Sequence, residues 1–178
     1  AKKLSYNLAR KEAFLAISNL NASFQRLTQD PKSKQKEFQL IYEIVTLNQT
    51  MISAIASIGN FIINHKTTPA SSDFNLLIHK ISNTLQMSCD QLEQVQIHKK
   101  INKETVEEAE DKLLDKYQQL SNLRDENIKK GNEKLDTETL HALQEAYLIA
   151  NHMNWLKSLS ESLKKATTQY QSAIVDEQ

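Results

Sequence analysis

Residues 9–35 read ARKEAFLAISNLNASFQRLTQDPKSKQ, and their spacing decides the fold. Ala9, Ala13, Ala16, Leu20, Phe24 and Leu27 recur three or four residues apart, the period that places side chains on one face of an α-helix. That stripe predicts a core-facing helix from about Ser5 to Gln29, with neighbours approaching closely at Ala13 and Ala16 and standing further off at Phe24. Asp30-Pro31 closes the helix, because the residue before a proline is pushed out of the helical region. The same pair suits a helix start: Asp30 is a good N-cap, and Pro31 fits a first position that needs no N–H. Helix, sharp corner, helix is the expected order.

Outward from that corner, a second helix is expected from Pro31 to about Asn64, with Phe38, Ile41, Val45, Ile52, Ile55 and Ile62 on one side. Ile44, Leu47, Met51, Ile58 and Phe61 lie on another, which makes its second half apolar nearly all round and central. Phe24 and Ile55 are read as core, and Gly59 beside Ala54, Ala56 and Ser57 as a close helix crossing. The segment from Ile44 to Asn64 carries no charge, yet Asn48, Gln49, Thr50, Ser53, Ser57 and Asn60 would be costly in hydrocarbon. A buried bundle helix fits it better than a membrane span.

HKTTPASS at 65–72 reads as a loop. Phe74, Ile78, Ile81, Leu85, Ser88, Leu92 and Val95 then form a heptad seam on a third helix. After a polar break at His98 to Asn102, a fourth helix has a thin stripe of Val106, Ala109, Leu113, Leu120 and Leu123 and a mostly solvated face. Gly131 ends it and Asp136 caps the last helix, which runs to about Ile174. That helix carries Leu140, Leu143, Tyr147, Ala150, Met153, Leu159, Leu163, Ala166 and Tyr170 on its apolar side. The expected fold is all-α: an elongated, mainly antiparallel bundle of five helices, residues 1–178 forming one domain.

Two glycines and two prolines leave too little punctuation for a many-turned β fold. Twenty-two basic residues balance 22 acidic ones, so the overall field favours neither nucleic acid nor an acidic substrate. Residues 1–36 are the exception, with eight basic and two acidic side chains. Cys89 is the single cysteine, which excludes an internal disulfide and suits a reducing compartment. No apolar signal segment follows Ala1-Lys2-Lys3.

Candidate chemistry is sparse. His65, His79, His98, His141 and His152 lie eleven or more residues apart, without the i, i+4 spacing that brings two imidazoles onto a metal, and no metal or cofactor site is expected. The cluster Glu107, Glu108, Glu110 and Asp111 lacks the turn glycine and alternating ligands of a calcium loop. Cys89 sits next to Asp90, a poor setting for a nucleophile. Tyr147 and Trp155 could line an aromatic ligand pocket, although core or interface packing is the plainer reading. Neither a phosphate-binding glycine loop nor a nucleophile and base pattern appears, so the chain is not expected to be an enzyme.

Arg10-Lys11, Ala13, Ala16, Asn19-Leu20, Phe24-Gln25-Arg26 and Pro31, in this order and spacing, resemble the segment after the second membrane block of bacterial fusaric acid resistance (FUSC) family proteins, YccS-like branch. The resemblance covers residues 9–35 of 178 and implies a cytoplasmic C-terminal domain of an inner-membrane exporter of aromatic acids or other toxic compounds. It brings no catalytic motif. Its implied partners are the transmembrane part of the same chain, further copies of the domain, and an anionic membrane surface near Lys2 and Lys3. An upright first helix would hold Lys32, Lys34 and Lys36 about 40 Å from that surface. Arg10, Lys11, Asn19, Gln25, Arg26 and Pro31 are the candidate structural or coupling surface, fixing helix register first and meeting the membrane part second. The alternative is a free-standing helical interaction or signalling module.

Overall fold

A computed structural model describes residues 2–31, 37–64, 72–93, 103–129 and 137–175. Among them are five helices and no strand: α1 (Lys2–Gln29), α2 (Phe38–Asn64), α3 (Ser72–Leu92), α4 (Lys103–Lys129) and α5 (Thr137–Val175). The all-α helical bundle expected from the periodicity is the observed one. Gly131, Asp136, Val95 and Lys32, Lys34 and Lys36 lie outside the described residues, as do the side chains of Lys2, Lys3, Val106, Ala109 and Leu113.

The helices group into two compact units. The first comprises Ala1–Ser57, Thr84–His98 and Ser158–Gln178, and the second Ile58–Asn83 and Lys99–Lys157. In the first unit α1 and α2 are antiparallel neighbours, since Phe24 meets Phe38 and Tyr42 (ring centroids 5.2 and 5.8 Å apart) while the earlier Asn21 meets the later Gln49. Phe24 thus braces the corner. The backbone N–H of Asp30 closes α1 onto the Leu27 carbonyl at 3.2 Å.

Helix two does not start at Pro31. Pro31 is non-helical and exposed, and Glu37 has a left-handed φ of 52°, which a right-handed helix cannot contain; its carbonyl then accepts the first bond of α2, from the Ile41 N–H at 3.0 Å. Phe38 is the first helical residue, and its ring packs at a tilt of 31° on that of Phe24.

The inward face of α1 is also rotated from the expected stripe. Ala13, Leu20, Phe24 and Leu27 are half-buried as expected, but Ala9 and Ala16 are exposed and Tyr6, Ile17 and Asn21 take their share. The sequence 13, 17, 20, 24, 27 alternates four and three, so the larger Ile17 fills the seam and Ala16 turns about 100° away. On α3 the same slip occurs. Leu77, Ile81, Thr84 and Ser88 are buried, whereas Ile78 and Leu92 are exposed and Leu85 is half-buried. The seam keeps Ile81 and Ser88 and exchanges the expected 78, 85, 92 for 77, 84, 91.

The core of the first unit is Val45, Met51, Ala54, Leu159, Leu163 and Ala166, with Ser160 and Thr167 enclosed beside them. Small and hydroxyl side chains at 160, 166 and 167 let backbones approach closely, and the Thr167 hydroxyl is satisfied by the Lys164 carbonyl at 2.9 Å. Ile58, Leu77, Ile81, Leu143, Met153 and Leu156 form the core of the second. Phe24 and Ile55, expected as core, are half-buried, and Ile62 is exposed. Leu140 and Tyr147, placed by periodicity on the apolar side of α5, face outward.

No described helix is long and apolar enough to cross a membrane. In α2 the polar residues turn back on their own helix instead: Thr46, Asn48, Thr50 and Ser53 donate to the carbonyls of Tyr42, Ile44, Thr46 and Gln49 at 2.8–2.9 Å. Such bonds satisfy the side chains without a partner helix.

Candidate functional site

Of the residues that carry the FUSC resemblance, Ala13, Leu20 and Phe24 are half-buried on the inward seam and the others are solvent-facing. Arg10, Lys11, Asn19, Gln25, Arg26 and Pro31 are all exposed. The Arg10 guanidinium lies over the Phe14 ring, 5.5 Å from its centroid. Arg26 donates to the Ser23 hydroxyl at 3.1 Å, a bond within one helical turn, and the Gln25 carbonyl accepts from Thr28 at 2.6 Å. Leu4, Leu8 and Leu15 form an outward apolar row on the side of α1 opposite Ile17 and Phe24. Leu4 is 75% exposed.

Polar bridges between helices are made by residues that the sequence reading did not single out. Gln49 Nε2 donates to Asn21 Oδ1 at 2.6 Å, joining α2 to α1, and Thr168 Oγ1 donates to Gln91 Oε1 at 2.9 Å, joining α5 to α3. Asn21 was legible in principle: it follows Leu20 and precedes Phe24 on the inward seam, where a polar side chain needs a partner.

In the second unit a shallow cavity of about 140 Å³ opens between α3, α4 and α5. Leu77, Leu114, Ala150 and Met153 give it apolar walls, with Asp111, Asn151 and Asn154 at its polar edge. Asn151, itself exposed, donates through Nδ2 to the Tyr147 carbonyl at 3.0 Å. Tyr147 and Trp155 do not close a pocket. They lie two turns apart on one side of α5 and are 55% and 46% exposed, which also removes them from the core. His152 packs edge-on to Trp155, centroids 6.3 Å apart, and its Nδ1 is 3.0 Å from the Leu148 carbonyl; a carbonyl only accepts, so that nitrogen carries the proton.

Among the described residues no three His, Cys, Asp or Glu side chains converge as a metal would require. Cys89 lies on the exposed side of α3 with its thiol partly covered. That burial, and then the carboxylates of Glu93 and Asp90, push the thiol above its ordinary value. A thiolate is disfavoured there, the reverse of what nucleophilic catalysis needs.

Compared with known proteins, the chain matches no family model, no curated protein and no solved structure. The resemblance at residues 9–35 stands on those residues alone.

Proposed function

We propose that this chain is a non-catalytic cytoplasmic domain of a FUSC-type bacterial inner-membrane transporter, supplying contacts for assembly or gating while the membrane part moves aromatic acids or other toxic compounds. The observation that carries this reading is the exposure of the polar part of the signature. Ala13, Leu20 and Phe24 face the bundle, while Arg10, Lys11, Asn19, Gln25, Arg26 and Pro31 lie outside its core and are open to a partner. The outward row of Leu4, Leu8 and Leu15 favours a neighbour of the same kind, because a run of exposed leucines on one helix face marks a contact surface. That surface supports coupling to the membrane part over the fixing of helix register, since the polar bridge between α1 and α2 is made by Asn21 and Gln49 and not by these residues.

Membrane fractionation of the full-length gene product tests the reading. Recovery with the inner membrane and apolar spans encoded ahead of Ala1 are the expected results. A soluble product without such spans would replace this reading with a free-standing helical module. Reversing the charge at Arg10 and Arg26 in the full-length protein is expected to lower export while the thermal unfolding of residues 1–178 stays unchanged.

A further inference from the structure

We propose that the outward row of α1, Leu4, Leu8 and Leu15, rests on an anionic lipid bilayer, with the first half of α1 lying along its surface. Each of the three leucines is more than half exposed. At about 100° per residue they fall within about 40° of the helix circumference, on the side opposite the inward seam of Ile17, Leu20 and Phe24. Lys11 borders the row about 20° from Leu4, and Glu12 borders it on the other side, about 40° beyond Leu8. Phe14 stands about 60° further round from Lys11, and Arg10 reaches over its ring from well outside the row. Beyond Leu15 the same side continues as Ser18, Asn19, Ala22 and Arg26, all exposed, so the apolar row ends there.

Size and charge together decide the occupant. From Leu4 to Leu15 the row is about 16 Å long by helical rise and one helix, about 10 Å, wide, so it covers about 160 Å². A stable protein interface takes about 800 Å² from each partner, about five times as much, which disfavours a second copy of the chain. A bilayer sets no such threshold. An interfacial helix gains from each apolar side chain that enters the boundary between headgroups and acyl chains, and from each cation near the surface. Residues 1–15 hold Lys2, Lys3, Arg10 and Lys11 against Glu12 alone, four basic to one acidic, in a chain whose formal charge is zero. Lys11 suits lipid better than protein: its methylene stem can lie beside the leucines while the ammonium stays among lipid phosphates, whereas lysine is depleted from the cores of protein interfaces. Glu12 opposes the attraction, which makes its removal diagnostic.

This inference rests on the coupling role proposed above for the same row. Its test uses the 178-residue chain by itself, whatever spans the full-length product encodes, so the two fail separately. In co-sedimentation, the chain is expected to bind vesicles of phosphatidylcholine with about 30% phosphatidylserine about tenfold more tightly than phosphatidylcholine alone. Glu12→Gln should tighten that binding about fivefold and Lys11→Gln weaken it about fivefold, the effect of one charge at the surface. Leu8→Gln combined with Leu15→Gln should abolish it, with helicity by circular dichroism unchanged because both side chains already face water. Leu123→Gln, at an exposed leucine of α4, should leave it unchanged. In a Cys89→Ser background, an environment-sensitive fluorophore on Leu8→Cys should shift to the blue with anionic vesicles. The same label on Ala9→Cys, exposed but about 100° round the helix, should not. No binding, equal binding to both vesicles, retained binding by the double leucine variant, or equal shifts at the two labels overturns the proposal. A blue shift at Leu8→Cys without vesicles, growing with chain concentration, overturns it in favour of a second copy.

Discussion

Leu77→Ala and Ile78→Ala, made separately, distinguish the observed register of α3 from the one that side-chain size alone suggests. Leu77 is 3% exposed and Ile78 39% exposed, one residue apart and so about 100° apart around the helix. Truncating a buried leucine removes its transfer free energy and leaves a cavity, for a loss of about 2–5 kcal/mol. Leu77 already borders open space beside Met153, and that space cannot collapse onto the gap, which points to the middle of the range, about 3 kcal/mol. Ile78 loses only part of the ~1.5–3 kcal/mol that full burial would give it, about 1 kcal/mol. With a urea slope of about 2 kcal/mol per molar, the two midpoints fall by about 1.5 and 0.5 M. Trp155 fluorescence is the assay of choice, because Trp155 and both mutated residues belong to the same compact unit and its signal follows that unit even where the two units unfold separately. An Ile78→Ala midpoint as low as that of Leu77→Ala would refute the register.

Three further outcomes follow from individual side chains. The Tyr6 hydroxyl is buried without a hydrogen-bond partner, so Tyr6→Phe should leave thermal stability equal or raise it by up to ~1 kcal/mol; a clear loss would mean the hydroxyl is satisfied after all. A double-mutant cycle on Asn21→Ala and Gln49→Ala should return a coupling of about 0.5–1 kcal/mol, at the low end because the pair is exposed to water, and no coupling would remove that bond as a link between α1 and α2. The Cys89 thiol, raised by burial and by Glu93 and Asp90, should be alkylated by iodoacetamide with a pH midpoint above that of the urea-unfolded chain. Its protonated form is favoured by the fold, so its stabilising contribution is complete below the unfolded pKa and is lost as pH rises through the folded one. Identical midpoints in the two states would discount the burial and the carboxylates alike.

Helix number and type were legible because five long periodic segments are separated by breaks, and three- or four-residue spacing is insensitive to small errors of phase. Phase itself was not. On α1 and α3 two adjacent seams share residues, and choosing by bulk preferred Ile78, Leu85 and Leu92 over Leu77, Thr84 and Gln91. The structure turns the more polar set inward, where Gln91 Oε1 accepts a hydrogen bond from the Thr168 hydroxyl of α5. A partner 77 residues away cannot be read from local spacing. The start of α2 was missed for a related reason, since a non-glycine residue with positive φ at Glu37 has no sequence signal.

Exposure of the α5 aromatics illustrates the same limit from the functional side. Tyr147 and Leu140 keep a helical period with Leu143 and Met153, so a pattern of apolar residues alone assigns them inward. The inward set is in fact Leu143, Met153, Leu156 and Leu159, centred on the opposite side of the helix. What marks the outward side is that no Asp, Glu, Lys or Arg is exposed between Glu138 and Lys157, Glu145 being buried, a feature that a hydrophobicity stripe ignores because amides and charged groups both count as polar. Solvent alone does not require that distinction: a lysine or glutamate at 144, 151 or 154 would serve an exposed helix face at least as well as Gln or Asn, with better helix propensity than Asn.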